Sequence, residues 1–169
     1  LTVIVISYNT RDLTLTALQS LFDTTRETAI HVIVFDNASA DGSADAIAET
    51  FPQVELIRSP ANLGFARANT VVAAPVRTEW MLLLNPDTEC HAGAVDNLMG
   101  FARETPRAGI WGGRTVFPDG SLNIASCWMR ITPRSLFCWA FGLSALFPRS
   151  EFFSPEAMGG WQRDTVREV

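Results

Sequence analysis

Lysine is absent from this 169-residue chain: all 13 basic residues are arginine, 18 residues are acidic, and the formal net charge is −5. No basic stretch is present to neutralise a phosphate backbone, so nucleic acid is excluded as an expected partner. Cysteine is scarce as well. The three cysteines, Cys90, Cys127 and Cys138, are odd in number and lack metal-ligand spacing. Reduced thiols and a cytoplasmic location are expected in place of a disulfide framework. No apolar run reaches the roughly 18 to 20 residues that span a bilayer, so a transmembrane helix is not expected. No signal peptide precedes the first apolar segment, and with Leu1 in place of an initiator Met, further sequence is expected upstream. Gly-x-Gly-x-x-Gly and the P-loop pattern are both missing, which removes the usual dinucleotide and triphosphatase signatures. The two histidines, His31 and His91, have no triad or ligand partner at recognisable spacing.

What is present is apolar and alternating. Hydrophobic residues make up 47% of the chain, enough for a substantial core. Residues 2–6 are continuously apolar and β-branched, as expected of a strand buried on both faces of a parallel sheet. The period then changes: Leu13, Ala17, Leu18, Leu21 and Phe22 recur at helical spacing, with Asn9 or Thr10 available as an N-cap. Residues 31–35 predict a second strand, and Ala44, Ile47, Ala48 and Phe51 one face of a second helix. A third strand is expected at 54–58, a helix over 64–74, a fourth strand over 80–84, and a helix carrying Ala94, Val95, Leu98, Met99 and Ala102. Repeated β-α units of this kind predict an α/β fold, a mainly parallel sheet flanked by helices with right-handed crossovers. Beyond about residue 115 the alternation stops. Phe117-Pro118-Asp119-Gly120 reads as a hairpin turn. Residues 135–147 are strongly apolar and bracketed by Arg134 and Arg149. Two readings of that segment stand: it rests on a membrane surface as a peripheral contact, or it packs as a helix against a further part of the protein.

Four polar clusters follow the predicted strands. Carboxyl ends of parallel strands share one edge of the sheet, where such folds bind ligands, so the clusters converge on one crevice. Ser7-Tyr8-Asn9 offers a ring for stacking and an amide for hydrogen bonds, or simply a capped loop. Asp36, with Asn37 beside it, ends the second strand, where an acid can accept from a base imide or a ribose hydroxyl. Asp41 and Ser43 are also good helix caps. Asn62, Gly64, Phe65 and Asn69 open the third helix, and Gly64 lets a ligand approach the main chain. In Asn85-Pro86-Asp87 the carboxylate can offer an oxygen to Mg2+ or Mn2+, with substrate phosphates and water completing the shell; a surface turn is the competing reading.

In order and spacing, Val-Ile-Ser-Tyr-Asn, Val-Phe-Asp-Asn-Ala-Ser-Ala-Asp-Gly-Ser, Asn-Leu-Gly-Phe-Ala-Arg-Ala-Asn and Leu-Leu-Leu-Asn-Pro-Asp resemble the nucleotide-sugar half of family 2 glycosyltransferases, particularly the bacterial rhamnosyltransferase-like branch. The similarity covers roughly residues 2–125. It implies a Rossmann-like GT-A fold with its C-terminal part incomplete, residues 1–115 forming the donor-binding domain and 116–169 the start of an acceptor-side region. It further implies a hexosyltransferase of cell-wall or polysaccharide biosynthesis, with a dTDP- or UDP-linked sugar as donor, a glycan or lipid-linked saccharide as acceptor, and Mn2+ or Mg2+ as cofactor. Transfer with inversion belongs to the same implication, and the membrane-surface reading of residues 135–147 would put the chain at the inner face of the membrane.

Carried over by position, Tyr8 and Asp36 contact the pyrimidine and Asn9 shapes its pocket, while Asn62, Gly64, Phe65 and Asn69 lie along the nucleoside and diphosphate. Ser7, Asn37, Asp41 and Asn85 are counted with the nucleotide site. Asn85 stands where many relatives have the first Asp of Asp-x-Asp, leaving Asp87 as the metal carboxylate. The family's general base lies in a later Glu-Asp segment that this chain does not contain, so the base is expected beyond Val169. Glu151, Glu156 and Asp164 lack its surroundings and read as solvated side chains. A nucleotidyltransferase or a non-catalytic nucleotide-sugar binding module is the alternative. The first would carry a Gly-rich basic phosphate loop, which Ser7-Tyr8-Asn9-Thr10-Arg11 is not.

Overall fold

The structure, a computed structural model, describes residues 1–123, 130–155, 158, 161, 165 and 166. Cys127, Glu156 and Asp164 lie outside the described residues. The chain divides into two compact units, Leu1–Gly109 and Ile110–Val169.

The first unit follows the β-α alternation of the sequence: β1 (Thr2–Ser7), α1 (Arg11–Thr24), β2 (His31–Asp36), α2 (Ser43–Thr50), β3 (Glu55–Arg58), α3 (Phe65–Ala73), β4 (Met81–Leu83) and α4 (Ala94–Glu104). The four strands form one sheet in the order β3-β2-β1-β4. All pairings are parallel, with Ser7 opposite Asp36, Asp36 opposite Arg58, and Ile4 opposite Leu83. β1 is buried along its whole length, which explains its unbroken apolar run. Side chains alternate between two faces. Val3, Val5, Val32 and Val34 pack with Leu18, Leu21, Ile47 and Met99 from α1, α2 and α4, whereas Ile4, Ile6, Ile33 and Phe35 meet Ala68 and Val72 of α3. Each fully buried side chain of this size contributes about 1.5–3 kcal/mol. The half-buried Cys90 packs against the first of these clusters, and burial pushes its thiol pKa up.

Three periodic positions, Leu13, Ala48 and Ala94, are exposed against expectation. Leu13 is 54% exposed, and Thr14 takes the buried place on α1. The cause is a hydroxyl cluster in which Ser7, Thr10 and Thr14 are mutually bonded at 3.0–3.2 Å. Ala48 is likewise exposed, and Ser43 is buried at the start of α2.

In the second unit, Val116 and Leu122 form an antiparallel bridge around the expected turn, where Gly120 has φ +81 and Asp119 accepts from the backbone and hydroxyl of Ser121. The apolar segment forms α5 (Pro133–Ala140) and α6 (Leu143–Leu146), separated at Gly142 with φ +70. α5 opens with a capping box: Ser135 N–H donates to Thr132 Oγ1 and Thr132 N–H to Ser135 Oγ, with Pro133 in the first turn. Among the described residues no helix is long and apolar enough to cross a membrane.

One carboxylate fastens the end of α1 to the start of α4. Asp96, in the first turn of α4, accepts N–H bonds from Arg26 at 2.8 Å, Glu27 at 3.3 Å and Thr28 at 2.8 Å. These donors, Arg26 first, hold its pKa at about 2 against an ordinary 3.8. Because the folded value lies below the unfolded one, this stabilisation is complete above the ordinary pKa and is lost as pH falls toward 2. Thermal midpoints should therefore drop between these values, and Asp96→Asn should have a lower midpoint at neutral pH with a shallower acid decline. An identical acid profile in the two proteins would contradict the assignment.

Candidate nucleotide-binding site

Because all strands run the same way, the loops after β1, β2, β3 and β4 leave one edge of the sheet. β2 and β3 lie on one side of β1 and β4 on the other, so the strand order reverses beside β1, the place where open α/β sheets bind ligands.

The loops are tied to one another by side chains from the polar clusters. Asn9, in the left-handed region at φ +53, accepts from Ala40 N–H at 2.8 Å through Oδ1, and its own N–H donates to Ser39 Oγ at 2.9 Å. Asp41 accepts from the first N–H of two helices, Arg11 of α1 and Ser43 of α2, each at 3.0 Å, and also from the Ser43 hydroxyl. That hydroxyl, followed by the backbone donors, lowers the Asp41 pKa. The buried Asn37 donates from Nδ2 to Asn62 Oδ1 at 2.9 Å and accepts from Leu63 N–H at 2.7 Å. Asn62 Oδ1 also receives the Gly64 N–H at 2.8 Å.

The expected site residues thus separate by the freedom of their side chains. Ser7, Asn37 and Asp41 belong to the framework, their polar atoms bonded within the protein. Asn69 donates to Phe65 O at 3.0 Å within α3. Tyr8 is 47% exposed and Phe65 60% exposed, so two aromatic rings stand at the tips of the first and third loops. Asn85 and Asp87 are exposed beyond β4. Asp36 is the exception. It is 4% exposed, Oδ2 accepts from Ser39 N–H at 3.1 Å, and Oδ1 is buried without a partner among the described residues. An unpaired buried carboxylate oxygen costs more than the roughly 1–3 kcal/mol of a neutral group, and such an atom calls for a donor.

Ser39, Thr10 and Thr14 also hold the site, and residue-by-residue reading did not assign them. Thr10 and Thr14 are spaced i, i+4 on one helix, which is a readable signal. The bond from Asn9 N–H to Ser39 Oγ joins positions 30 apart and left no local one.

No group of three or more His, Cys, Asp or Glu side chains among the described residues is placed to hold a metal. Asp87 supplies one exposed carboxylate and Asn85 one amide oxygen, a hard donor set that fits a cation shared with phosphate oxygens but not one caged by protein alone. A separate groove of about 750 Å3 at the end of α1 is lined by Asp23, Glu27, Asp96 and Glu104 against one cation, Arg26, and this acidic balance disfavours a diphosphate there.

The family model described as glycosyl transferase family 2 matches residues 2–166. Over 107 residues the chain is 34% identical to N-acetylglucosaminyl-diphospho-decaprenol L-rhamnosyltransferase of Mycobacterium tuberculosis, in sequences from two strains, a match covering 57% of this chain and 35% of the relative. The chain therefore spans 35% of the length of the curated relatives it matches. Mannosyltransferase PcManGT from Pyrobaculum calidifontis, solved with GDP-Man and Mn2+, aligns with a TM-score of 0.55 at 26% identity, over 60% of this chain and 31% of that one. S. aureus TarS in complex with UDP-GlcNAc aligns at 0.54 and 22% identity, over 62% and 31%, a likeness of fold alone. The fold is of the GT-A type.

Gly64 carries the most restrictive geometry of the site: φ +74 and ψ 162 are open essentially to glycine only, although a Cβ there would meet nothing within 4 Å. Gly64→Ala should destabilise the fold by about 1–3 kcal/mol through the backbone alone, lowering Tm by about 2–4 °C per kcal/mol; an unchanged melt would contradict this. Asn37→Asp should cost about 1–3 kcal/mol, because Asn62 cannot both donate to the new carboxylate and keep accepting from Gly64. Wild-type stability in that variant would show the bridge to be dispensable.

Proposed function

The chain belongs to glycosyl transferase family 2, and from that premise we propose that its strand-tip crevice binds a dTDP- or UDP-linked sugar for inverting transfer to a glycan or lipid-linked saccharide. The observation that carries this reading is Asp36 Oδ1, a buried acceptor lacking a donor among the described residues. Uracil and thymine present a ring N–H to such an oxygen, whereas the corresponding cytosine nitrogen carries no hydrogen. Tyr8 is the exposed ring nearest in sequence to the end of β1 and offers a stacking face for the base. Because Oδ1 is buried, entry of the base requires the residues over it to shift, and the Asn37–Asp41 turn adjoins it in sequence. That turn includes Ala38, held at φ +66, and strain of this kind collects at ligand clamps and switch regions.

In this reading Leu1–Gly109 holds the donor, and the residues beyond about 115 begin the acceptor side. The rhamnosyltransferase relative, whose name specifies a decaprenyl-diphosphate-linked sugar, supports an acceptor on a lipid carrier. Inversion requires a base that takes the proton of the acceptor hydroxyl while its oxygen attacks the anomeric carbon and the nucleoside diphosphate departs. We assign that base to residues beyond Val169. Asp87 and Asn85 are the groups that would hold Mn2+ or Mg2+ beside the diphosphate, in keeping with the Mn2+ in the PcManGT complex. A bound cation there supplies charge stabilisation to the leaving diphosphate and orients it. Asn85, being neutral, leaves Asp87 as the one charged protein donor.

Calorimetric titration with UDP, dTDP and CDP, with and without Mn2+, tests the reading. UDP and dTDP should bind more tightly than CDP, and Asp36→Asn should weaken them by about ten-fold or more, the worth of a hydrogen bond to a charged group. Asp87→Ala should remove the gain in affinity from Mn2+ and leave metal-free binding intact. Equal affinity for the three nucleotides, or a Mn2+ effect that survives Asp87→Ala, would refute it.

A further inference from the structure

α5 is built inside out. Its buried residues are Ser135, engaged in the capping box, and Cys138, while Leu136, Phe137 and Trp139 point outward. The exposure continues into Phe141 and Leu146, with Trp139 74% and Leu146 70% exposed. Ring contacts join parts of this surface: Phe137 lies 4.5 Å from Phe141, Phe147 stacks on Phe153 at 4.9 Å, and the Arg134 guanidinium sits 5.1 Å over Phe152. A water-exposed helix is expected to show the reverse pattern.

Charge follows the same segment. Residues 130–155 contain three arginines, Arg130, Arg134 and Arg149, against one acid, the exposed Glu151, in a chain whose formal net charge is −5. All three arginines are exposed. Outward aromatic and leucine side chains bordered by arginine are the composition of a helix lying in the plane of a membrane interface, where rings sit at headgroup level and cations meet anionic lipid.

We propose that α5, α6 and the turn after them form a docking surface for an anionic lipid bilayer. The choice of a bilayer over a protein partner rests on this charge complementarity and, in one respect, on the reading above: an acceptor carried by a lipid is available only at a membrane surface. Neither helix is long enough to cross, so the contact is peripheral. Docking would bring the chain to its acceptor by two weak signals acting together, apolar burial and arginine attraction.

Co-sedimentation of the 169-residue chain with vesicles tests the proposal, using phosphatidylcholine alone and phosphatidylcholine mixed with phosphatidylglycerol. The chain should partition onto the mixed vesicles and much less onto the neutral ones. Arg130→Gln with Arg149→Gln should weaken that partitioning by about 25-fold, near five-fold for each charge removed. Trp139→Ala with Phe141→Ala should weaken binding to both vesicle types; these side chains are exposed, and thermal melts of the variants should match wild type. Absence of binding to mixed vesicles would overturn the proposal, as would binding indifferent to all four substitutions. Sedimentation velocity supplies the other arm: self-association abolished by the apolar substitutions would assign the surface to a second copy and overturn it equally. A chain that binds UDP but no vesicle fails this inference alone, and one that binds vesicles but no nucleotide retains it while losing the donor-site reading.

Discussion

Ser7 sits opposite Asp36 in the parallel register of β1 on β2, and the polar groups of the site take their positions from that alignment. Asn37 N–H continues the ladder by donating to Ser7 O at 2.8 Å, and Ser59 N–H does the same toward Asp36 O at 2.9 Å. The tips of three neighbouring strands therefore end at one level, with the loops bearing Tyr8, Asp36 and Asn62 side by side. A one-residue slip of β2 would exchange its two faces, moving Val32 and Val34 out of one core cluster and Ile33 and Phe35 out of the other. Hydrophobic burial thus enforces the register, and the register places the chemistry.

Above that edge the protein spends its polar side chains unevenly. Asn9, Asn37 and Asp41 bond to backbone groups of neighbouring loops, and Asn62 accepts from Asn37 and from Gly64 N–H of its own loop, so that the four make a connected rim. Within the rim, Asp36 keeps one buried oxygen unpaired, and Asn9 and Ala38 occupy left-handed backbone angles that non-glycine residues adopt at a cost. A fold selected for stability alone would remove both features. Their presence on adjoining loops is what a site prepared for a hydrogen-bond donor would show, and it agrees with membership of a family that transfers sugars.

Most of the first unit was legible in the sequence, because each element has a period of its own. The unbroken apolar run of β1 and the helical spacing of Ala17, Leu18 and Leu21 lead directly to the observed layers. What escaped was non-local. Thr14 in place of Leu13 follows from a hydroxyl cluster anchored on Ser7; Thr10 does occupy the N-cap position, but its side chain makes no cap bond and the Arg11 N–H is held by Asp41. The polar clusters were recognisable by position and resemblance, but sequence could not separate Asn37, whose amide is bonded through both its nitrogen and its oxygen, from Asp36, whose Oδ1 has no partner among the described residues. The break between α5 and α6 at Gly142, and the outward turn of the apolar residues, were likewise outside the reach of composition.

A nucleoside diphosphate gripped by the loops at the strand tips must perturb the backbone amides of those loops. Amide chemical-shift mapping of the isotope-labelled chain during titration with UDP and a divalent cation should therefore give saturable shifts at Ser39, Ala40, Leu63 and Gly64, the amides bonded to Asp36, Asn9, Asn37 and Asn62. Shifts confined to Arg26–Thr28 and Gly93–Asn97, around the acidic groove at the far end of α1, would contradict it.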